Sequence, residues 1–313
     1  MERCLYCYKE LAAGERDYHA GCVKKAFGTN GVPQIPYSRD NINELAHNLV
    51  QSQTTVTGVQ PKLSLHLAKG ERNEPDRLTL VGMAGSYILK PQAKAYPCLP
   101  ENEDLTMHLA EIAGIKVVPH TLARMADGEL CYLTRRIDRN SMGLKVAMED
   151  TCQLSGRLTE DKYHSSYEQV AKTLKRYSEV GKLDMVNYWE AVMFCWLTGN
   201  SDMHLKNFSL FKPNGNRWQL TPAYDLLSVR LAMPSDTEEL ALTLNGKKSN
   251  IKKTDFVAAM LRSDIDAVVT ERMIKKFIRI FPLWESLIRQ SFLPQDLQTK
   301  YIGYISRMLE RLQ

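Results

Sequence analysis

The chain has 313 residues, 44% hydrophobic and 25% charged, with a formal net charge of +5. This composition excludes a disordered or fibrous chain and leaves room for two lobes with separate cores. The positive excess is scattered rather than blocked, which suits an anionic partner such as a nucleotide but is too mild to establish nucleic-acid binding.

The first residues, MERCLYCYKE, contain no apolar signal core, and the longest uninterrupted apolar run, AVMFCWL at 191–197, is far shorter than a membrane span. A cytoplasmic protein with no membrane partner is therefore expected. Seven cysteines is an odd number, and in a reducing compartment they serve better as thiols or metal ligands than as disulfides. Residues 1–29 form a small Cys-rich head in which Cys4, Cys7, His19 and Cys22 are spaced C-x2-C-x11-H-x2-C. Two tight pairs of this kind make a Cys3His set suited to a structural Zn2+, and a head too small for a core of its own would take its folding energy from the metal. Free thiols near a disordered terminus are the alternative. Cys98, Cys131, Cys152 and Cys195 are expected to be buried small apolar residues.

A polar, proline-marked linker, TNGVPQIPYSRDN, follows the head. Within an N-lobe of residues 30–140, the chain from about 42 to 140 alternates short strand-like runs, KLSLHL, RLTLVG, SYILK and ELCYLTRRI, with turns such as GMAG and ADGE. One helix interrupts them, ENEDLTMHLAEIAGI, with acids in its first turn and Gly114 near its end. From residue 141 to 313 the apolar period lengthens to that of helices, over 166–180, 183–198, 254–262 and 266–281, with a last helix opening at Pro294. The helix LDMVNYWEAVMFCWL is apolar on almost every face and belongs at a lobe centre, whereas 232–253 is expected to be a surface loop. The fold class is α+β: a β-rich N-lobe, a mainly α-helical C-lobe and the small head.

The candidate chemistry lies directly behind that apolar helix, in GNSDMHLKNFSL at 199–210. Asp202 and Asn207 are five apart, the interval between Asp and Asn in a kinase catalytic loop, and Asp225 follows eighteen residues later in PAYDLLS. Phosphoryl transfer needs a carboxylate to orient or deprotonate the attacking hydroxyl and hard oxygen ligands for Mg2+. Asp202 suits the first role, Asn207 and Asp225 the second. A cation on the non-transferred phosphates is available in Lys90 of SYILKP, and TTVTGVQPKLSL sets Gly58 between Thr57 and Lys62 as a small-residue nucleotide loop. No GxxxxGK[ST] or GxGxxG is present.

With those residues in view, the sequence resembles the HipA family of bacterial serine/threonine kinases, toxins of HipBA-type toxin–antitoxin modules. The resemblance rests on TGVQPKL, YILKP, ENE, TRRIDR, EDTCQL, GNSDMHLKNFSL and PAYDLLS in the family's order, over about 45–313. It implies a two-lobed kinase-like fold that uses ATP and Mg2+, with Asp202 as catalytic base and Asn207 and Asp225 on the metal. It also implies His204 and Tyr224 beside the nucleotide, Lys90 on the phosphates, and Thr57, Gly58, Val59, Gln60 and Lys62 in the nucleotide loop. Arg135, Arg136, Ile137 and Asp138 would form the hinge, with backbone groups reading adenine and Asp138 reaching the ribose. Family members autophosphorylate just before the loop, where this chain has Thr55 and Thr57.

HipA itself begins with a further small subdomain, and only the Cys-rich head stands in that place here. This organisation is similar to HipT, the split form in which a separate small protein, HipS, supplies the missing part. The resemblance implies a protein substrate of the aminoacyl-tRNA synthetase class, a HipB-like DNA-binding antitoxin, a HipS-like partner, and nucleic-acid contact only through the antitoxin. Two alternatives stand beside this: a zinc-headed interaction scaffold on an inactive kinase fold, against which Lys90, Asp202, Asn207 and Asp225 are all intact, and a kinase acting on a lipid or small molecule, since the motifs do not specify the acceptor groove.

Overall fold

Pairing of the short apolar runs produces the first of two units. The computed structural model describes residues 2–41, 62–71, 74–81, 85–140 and 142–313. The first unit comprises Met1–Asp104, Val118–Leu144 and Gln290–Phe292; the second comprises Leu105–Val117, Lys145–Arg289 and Leu293–Gln313.

In the first unit, β1 (Leu63–Ala68), β2 (Arg77–Leu80), β3 (Tyr87–Pro91), β4 (His120–Arg124) and β5 (Leu130–Arg135) form one sheet in the order β2-β1-β3-β5-β4, antiparallel at every pairing. Its register sets Lys90 opposite Tyr132. Alternation is plain in β1, where Leu63 and Leu65 are buried and His66 is exposed. Strand β4 lacks it, because His120, Thr121, Leu122 and Ala123 are all buried, and so β4 was not among the strands expected from the sequence.

The head covers β4. Helix α1 (Ala20–Phe27) starts at His19 and stops at Gly28, whose φ of 73° admits the left-handed cap. Tyr18 donates to the Leu122 carbonyl at 2.5 Å, Thr121 to the Leu5 carbonyl at 3.3 Å, and Arg124 to Asp17 Oδ1 through both Nε and Nη2. Leu5, Tyr8, Tyr18, Val23 and Phe27 are buried. The linker then touches both ends of the sheet: the Leu78 N–H donates to the Gln34 carbonyl, and the Ala126 N–H to that of Tyr37. Helix α2 (Leu99–Ile112) follows the sheet's third strand, with Glu101 in its first turn.

The second unit is mainly helical. It contains β6 (Met148–Asp150), the short α3 (Thr151–Leu154), α4 (Tyr167–Tyr177), α5 (Lys182–Thr198), β7 (Ser209–Phe211), β8 (Gln219–Leu220), α6 (Val229–Ala232), α7 (Lys253–Leu261), α8 (Ala267–Gln290) and α9 (Gln295–Glu310). Strands β6, β7 and β8 make a small antiparallel sheet beside the catalytic-type loop. Helix α5 is buried as its composition requires, and Trp284 of α8 packs edge-on against its Phe194 at 5.6 Å.

The structure departs from three expectations. Helix α8 does not stop at residue 281 but runs through Pro282 to Gln290. A helix-interior proline costs about 3 kcal/mol, but Trp284 and Ile288 beyond it are wholly buried, and Trp284 Nε1 donates to the Leu109 carbonyl at 2.8 Å. Burial of two large side chains at ~2 kcal/mol each offsets the break. The stretch 232–253 is irregular, yet Leu240, Ala241, Leu242, Leu244 and Ile251 are at most 1% exposed, so it is an interior strap rather than a surface loop. Cys98 also differs: it is half-buried, while Cys131, Cys152 and Cys195 are buried as expected. Among the described residues, no helix is long and apolar enough to cross a membrane.

Candidate active site

Helix α5 delivers the chain to the catalytic-type loop. Its last residues, from Val192 to Thr198, are wholly buried, and Gly199 ends the helix at φ 73° and ψ 34°. A Cβ there would meet Arg230 Cβ at 2.8 Å and Tyr304 Cε1 at 2.9 Å, so close approach as well as backbone angle requires glycine.

Asn200 comes next with zero exposure. Its side-chain oxygen accepts the Asp202 N–H at 3.2 Å, and its amide donates to the Asp225 carbonyl at 3.5 Å. One buried amide therefore ties the backbone at two of the three oxygen donors identified from the sequence. Asn200 belongs to no part of the Asp–Asn interval; its position just past the end of a buried helix is the signal in the sequence. The loop is held from beneath by side chains on its carbonyls: Tyr167 on Met203 at 3.0 Å and Thr151 on Leu205 at 2.5 Å. Lys206 pairs with Asp150 Oδ2 at 2.8 Å, and Asp150 also caps α3 in a reciprocal box with Gln153.

Asp202 is half-buried and accepts a hydrogen bond from Tyr163 Oη at 2.6 Å. His204 is 7% exposed, with Tyr163 edge-on at 5.0 Å. Burial lowers the His204 pKa, while Asp202 and Asp225 pull it upward, so both carboxylates act on one imidazole. Its Nδ1 is buried with no hydrogen-bond partner among the described residues, an orphan that a bound polar group would satisfy.

Asn207 ends a single 3-10 turn at Leu205–Asn207 and is 7% exposed. Tyr224 donates to the Lys206 carbonyl at 3.0 Å, which leaves Ser209 as the donor in its 2.6 Å contact with the Tyr224 oxygen. Burial drives the Tyr224 pKa upward and keeps the phenol protonated. This bond joins the residues that precede Asn207 and Asp225, so the two lie on adjoining chain. Asp225 itself sits at φ 59°, a left-handed conformation that Asp tolerates better than most residues. An amide oxygen and a carboxylate are hard donors that fit Mg2+.

In the first unit, Lys90 on β3 donates to Glu103 Oε1 on α2 at 2.6 Å, and the two side chains are 4% and 2% exposed. The ammonium also lies 5.4 Å from the centre of the Tyr132 ring. A strand lysine paired with a helix glutamate is how protein kinases hold the lysine that grips nucleotide phosphates. Glu103 ends the ENE motif, but residue spacing alone does not reveal its partner on another element. At the expected hinge, the Arg135 and Arg136 N–H groups donate to the Pro119 and Ser86 carbonyls. The Arg136 guanidinium forks onto Asp138 at 2.8 and 2.6 Å. Burial opposes charge on Asp138, but this fork holds its carboxyl below the usual range. Ile137 is half-buried and Lys62 is exposed just ahead of β1. Thr55, Thr57, Gly58, Val59 and Gln60 lie outside the described residues.

The head brings Cys4, Cys7, His19 and Cys22 together, with one ligand atom of each within 4.8 Å of all the others. His19 Nδ1 is 3.5 Å from Cys7 Sγ and 3.8 Å from Cys22 Sγ, and its other nitrogen meets the Glu10 carbonyl at 3.1 Å. Such an outer contact orients an imidazole whose Nδ1 is to bind a metal. Three sulfurs and one nitrogen at this separation fit tetrahedral Zn2+.

The model of the HipA-like C-terminal domain matches residues 54–282. The chain is 28% identical over 293 residues to a "Putative kinase" of Haemophilus influenzae, covering 84% of this chain and 82% of that protein. It is 30% identical over 215 residues to the "Serine/threonine-protein kinase toxin HipA" of Shewanella oneidensis, covering 59% of this chain and 47% of the relative, about half its length. Among solved structures, HipA in the Shewanella oneidensis complex of HipA, HipB and operator DNA superposes with a TM-score of 0.67 at 21% identity, over 89% of this chain and 71% of that one. That likeness shows a shared α+β kinase-type fold.

Proposed function

The chain belongs to the HipA-like C-terminal domain family, and from that premise we propose that it is an ATP- and Mg2+-dependent serine/threonine protein kinase. The observation that carries the reading is the Asn200 tie, which holds the Asp202 and Asp225 backbones together at the end of a buried helix. The buried Lys90–Glu103 pair supports it independently.

In this reading Asp202 orients the acceptor hydroxyl and takes its proton as the acceptor oxygen bonds to the γ-phosphorus and the bond to the β-phosphate oxygen breaks, releasing ADP. Lys90, oriented by Glu103, offsets charge on the non-transferred phosphates. Asn207 and Asp225 hold Mg2+, which when bound draws charge from the phosphate oxygens. His204 and Tyr224 line the nucleotide side of the loop, and Arg135–Asp138 form the hinge. Residues 1–29 serve as a head folded on one Zn2+, residues 30–140 as the nucleotide-gripping lobe and residues 141–313 as the lobe that carries the catalytic loop.

The name of the HipA relative and its solved complex support a toxin that pairs with a HipB-like, DNA-binding antitoxin. The family resemblance adds autophosphorylation at Thr55 or Thr57 and an acceptor of the aminoacyl-tRNA synthetase class, the similarity to HipT adds a HipS-like partner, and a cytoplasmic setting belongs to the same reading. The kinase activity is tested by incubating the whole protein with labelled ATP beside Asp202→Gln and Asp225→Asn. Label on the unaltered chain alone is expected; equal label on all three overturns the reading.

A further inference from the structure

The Cys-rich head is the sequence motif that the proposed chemistry leaves unused, and a short buried path joins it to the Lys90–Glu103 pair. Tyr8, which directly follows Cys7, is 1% exposed and donates its phenolic hydrogen to Asp104 Oδ2 at 2.7 Å. Asp104 is wholly buried, and its other oxygen meets His120 Nδ1 of β4 at 2.7 Å. Asp104 is therefore clamped from two sides, by the head and by the sheet. Its neighbour on α2 is Glu103, the partner of Lys90.

Successive residues on an α-helix point about 100° apart around its axis. Clamping Asp104 therefore sets the rotation of α2 at that level, and with it the direction in which Glu103 leaves the helix. Tyr8 in turn depends on the turn between the first two cysteines. Its N–H donates to the Cys4 carbonyl at 2.9 Å, and its φ of 63° is a conformation that a bulky residue holds only when its surroundings impose it. Phe292 packs edge-on against its ring at 5.2 Å.

We infer that the head is a metal-dependent positioning device for the nucleotide grip. Zn2+ held by Cys4, Cys7, His19 and Cys22 fixes the turn that carries Tyr8, and Tyr8 acts through Asp104 to keep Glu103 on Lys90. Tyr8 and Asp104 are thus positioning residues, not catalytic ones. Removing the metal, or oxidising two of its three thiols to one disulfide with a two-electron oxidant such as a peroxide, weakens ATP binding without touching the catalytic loop. The inference rests on the kinase reading for the role it gives Lys90.

The experiment uses the full chain, its zinc content measured, and a fluorescent ribose-labelled ATP. Tyr8→Phe keeps the ring and deletes only the donor, so it tests the tie without unfolding the head; Cys22→Ser and chelation test the metal. The expected result is about one zinc per chain and a several-fold rise in the Kd for the nucleotide and the KM for ATP in Tyr8→Phe and in chelated protein, with kcat little changed. Zn2+ should restore the chelated protein, and Tyr8→Phe should add nothing to Glu103→Gln, as expected for residues acting in one chain. Zinc below half an equivalent, unchanged affinity in Tyr8→Phe, or full additivity with Glu103→Gln overturns the inference. If Lys90→Ala and Glu103→Gln themselves leave nucleotide binding unchanged, the kinase reading fails instead.

Discussion

Tyr163 donates its phenolic hydrogen to Asp202 Oδ1 across 2.6 Å. Burial and then the neighbouring carboxylate raise the phenol's pKa, so the donor stays protonated. Its ring also meets His204 edge-on at 5.0 Å, and it is 37% exposed. The chain's own hydroxyl thus stands on the proposed base, where an acceptor hydroxyl would have to bind.

That relationship makes Tyr163→Phe informative. A hydrogen bond to a charged group contributes ~1.5–3 kcal/mol, and an acceptor must displace this one or share the carboxylate. Removing the phenolic oxygen should lower the KM for the protein acceptor by roughly tenfold or more, leaving the KM for ATP unchanged. Steady-state kinetics with both substrates varied will check this. A tenfold fall in kcat would instead mean that Tyr163 orients Asp202.

Asn200→Ala removes the tie between the Asp202 and Asp225 backbones. Two part-buried backbone groups lose their partner, so stability should fall by about 1–3 kcal/mol in urea unfolding. Displacement of both carboxylates should reduce kcat by about a hundredfold. Asn200→Asp keeps the acceptor and loses the donor, and should fall between the two.

Breaking the Lys90–Glu103 pair leaves one buried charge without its partner. Glu103→Ala should cost roughly 3–5 kcal/mol of stability. Replacing both, with Lys90→Met and Glu103→Leu, should recover most of that loss because neither charge remains to be desolvated. Nucleotide binding should be lost in both proteins, which separates the structural part of the pair from its function.

Glu239 makes a pH test available away from the site. Burial opposes its ionisation, but Arg311 and the Trp196 indole hold the carboxyl below its usual value of 4.5. The unfolded chain binds that proton more readily, so the stabilisation is complete above pH 4.5 and is lost as pH falls through the lowered folded value. Glu239→Gln should cost about 2 kcal/mol at pH 7 and flatten the acid limb of the stability curve. Urea midpoints between pH 3 and 7 will show it.

The sequence by itself determined what depends on neighbouring residues. Apolar residues on every face of α5 demand burial, Gly199 closes that helix, and the five-residue interval from Asp202 to Asn207 marks a loop able to present a base and a metal ligand. The spacing of Cys4, Cys7, His19 and Cys22 likewise announces a ligand set that the structure gathers within 4.8 Å. Where the pattern misled, tertiary burial was the cause. β4 lost its alternation because the head covers it, and 232–253 reads as a loop because of its polar NGKKSN, although its buried Leu240, Leu242 and Leu244 stand at the strand period of two.

Only the tertiary structure decided which groups are partners. Lys90 and Glu103 are 13 residues apart, Asn200 and Asp225 are 25, Tyr163 and Asp202 are 39, and Tyr8 and Asp104 are 96. Periodicity and capping act over a few residues, but these pairs form where packed elements cross, and there the direction of each side chain is set by the burial of its neighbours rather than by its own place in the chain.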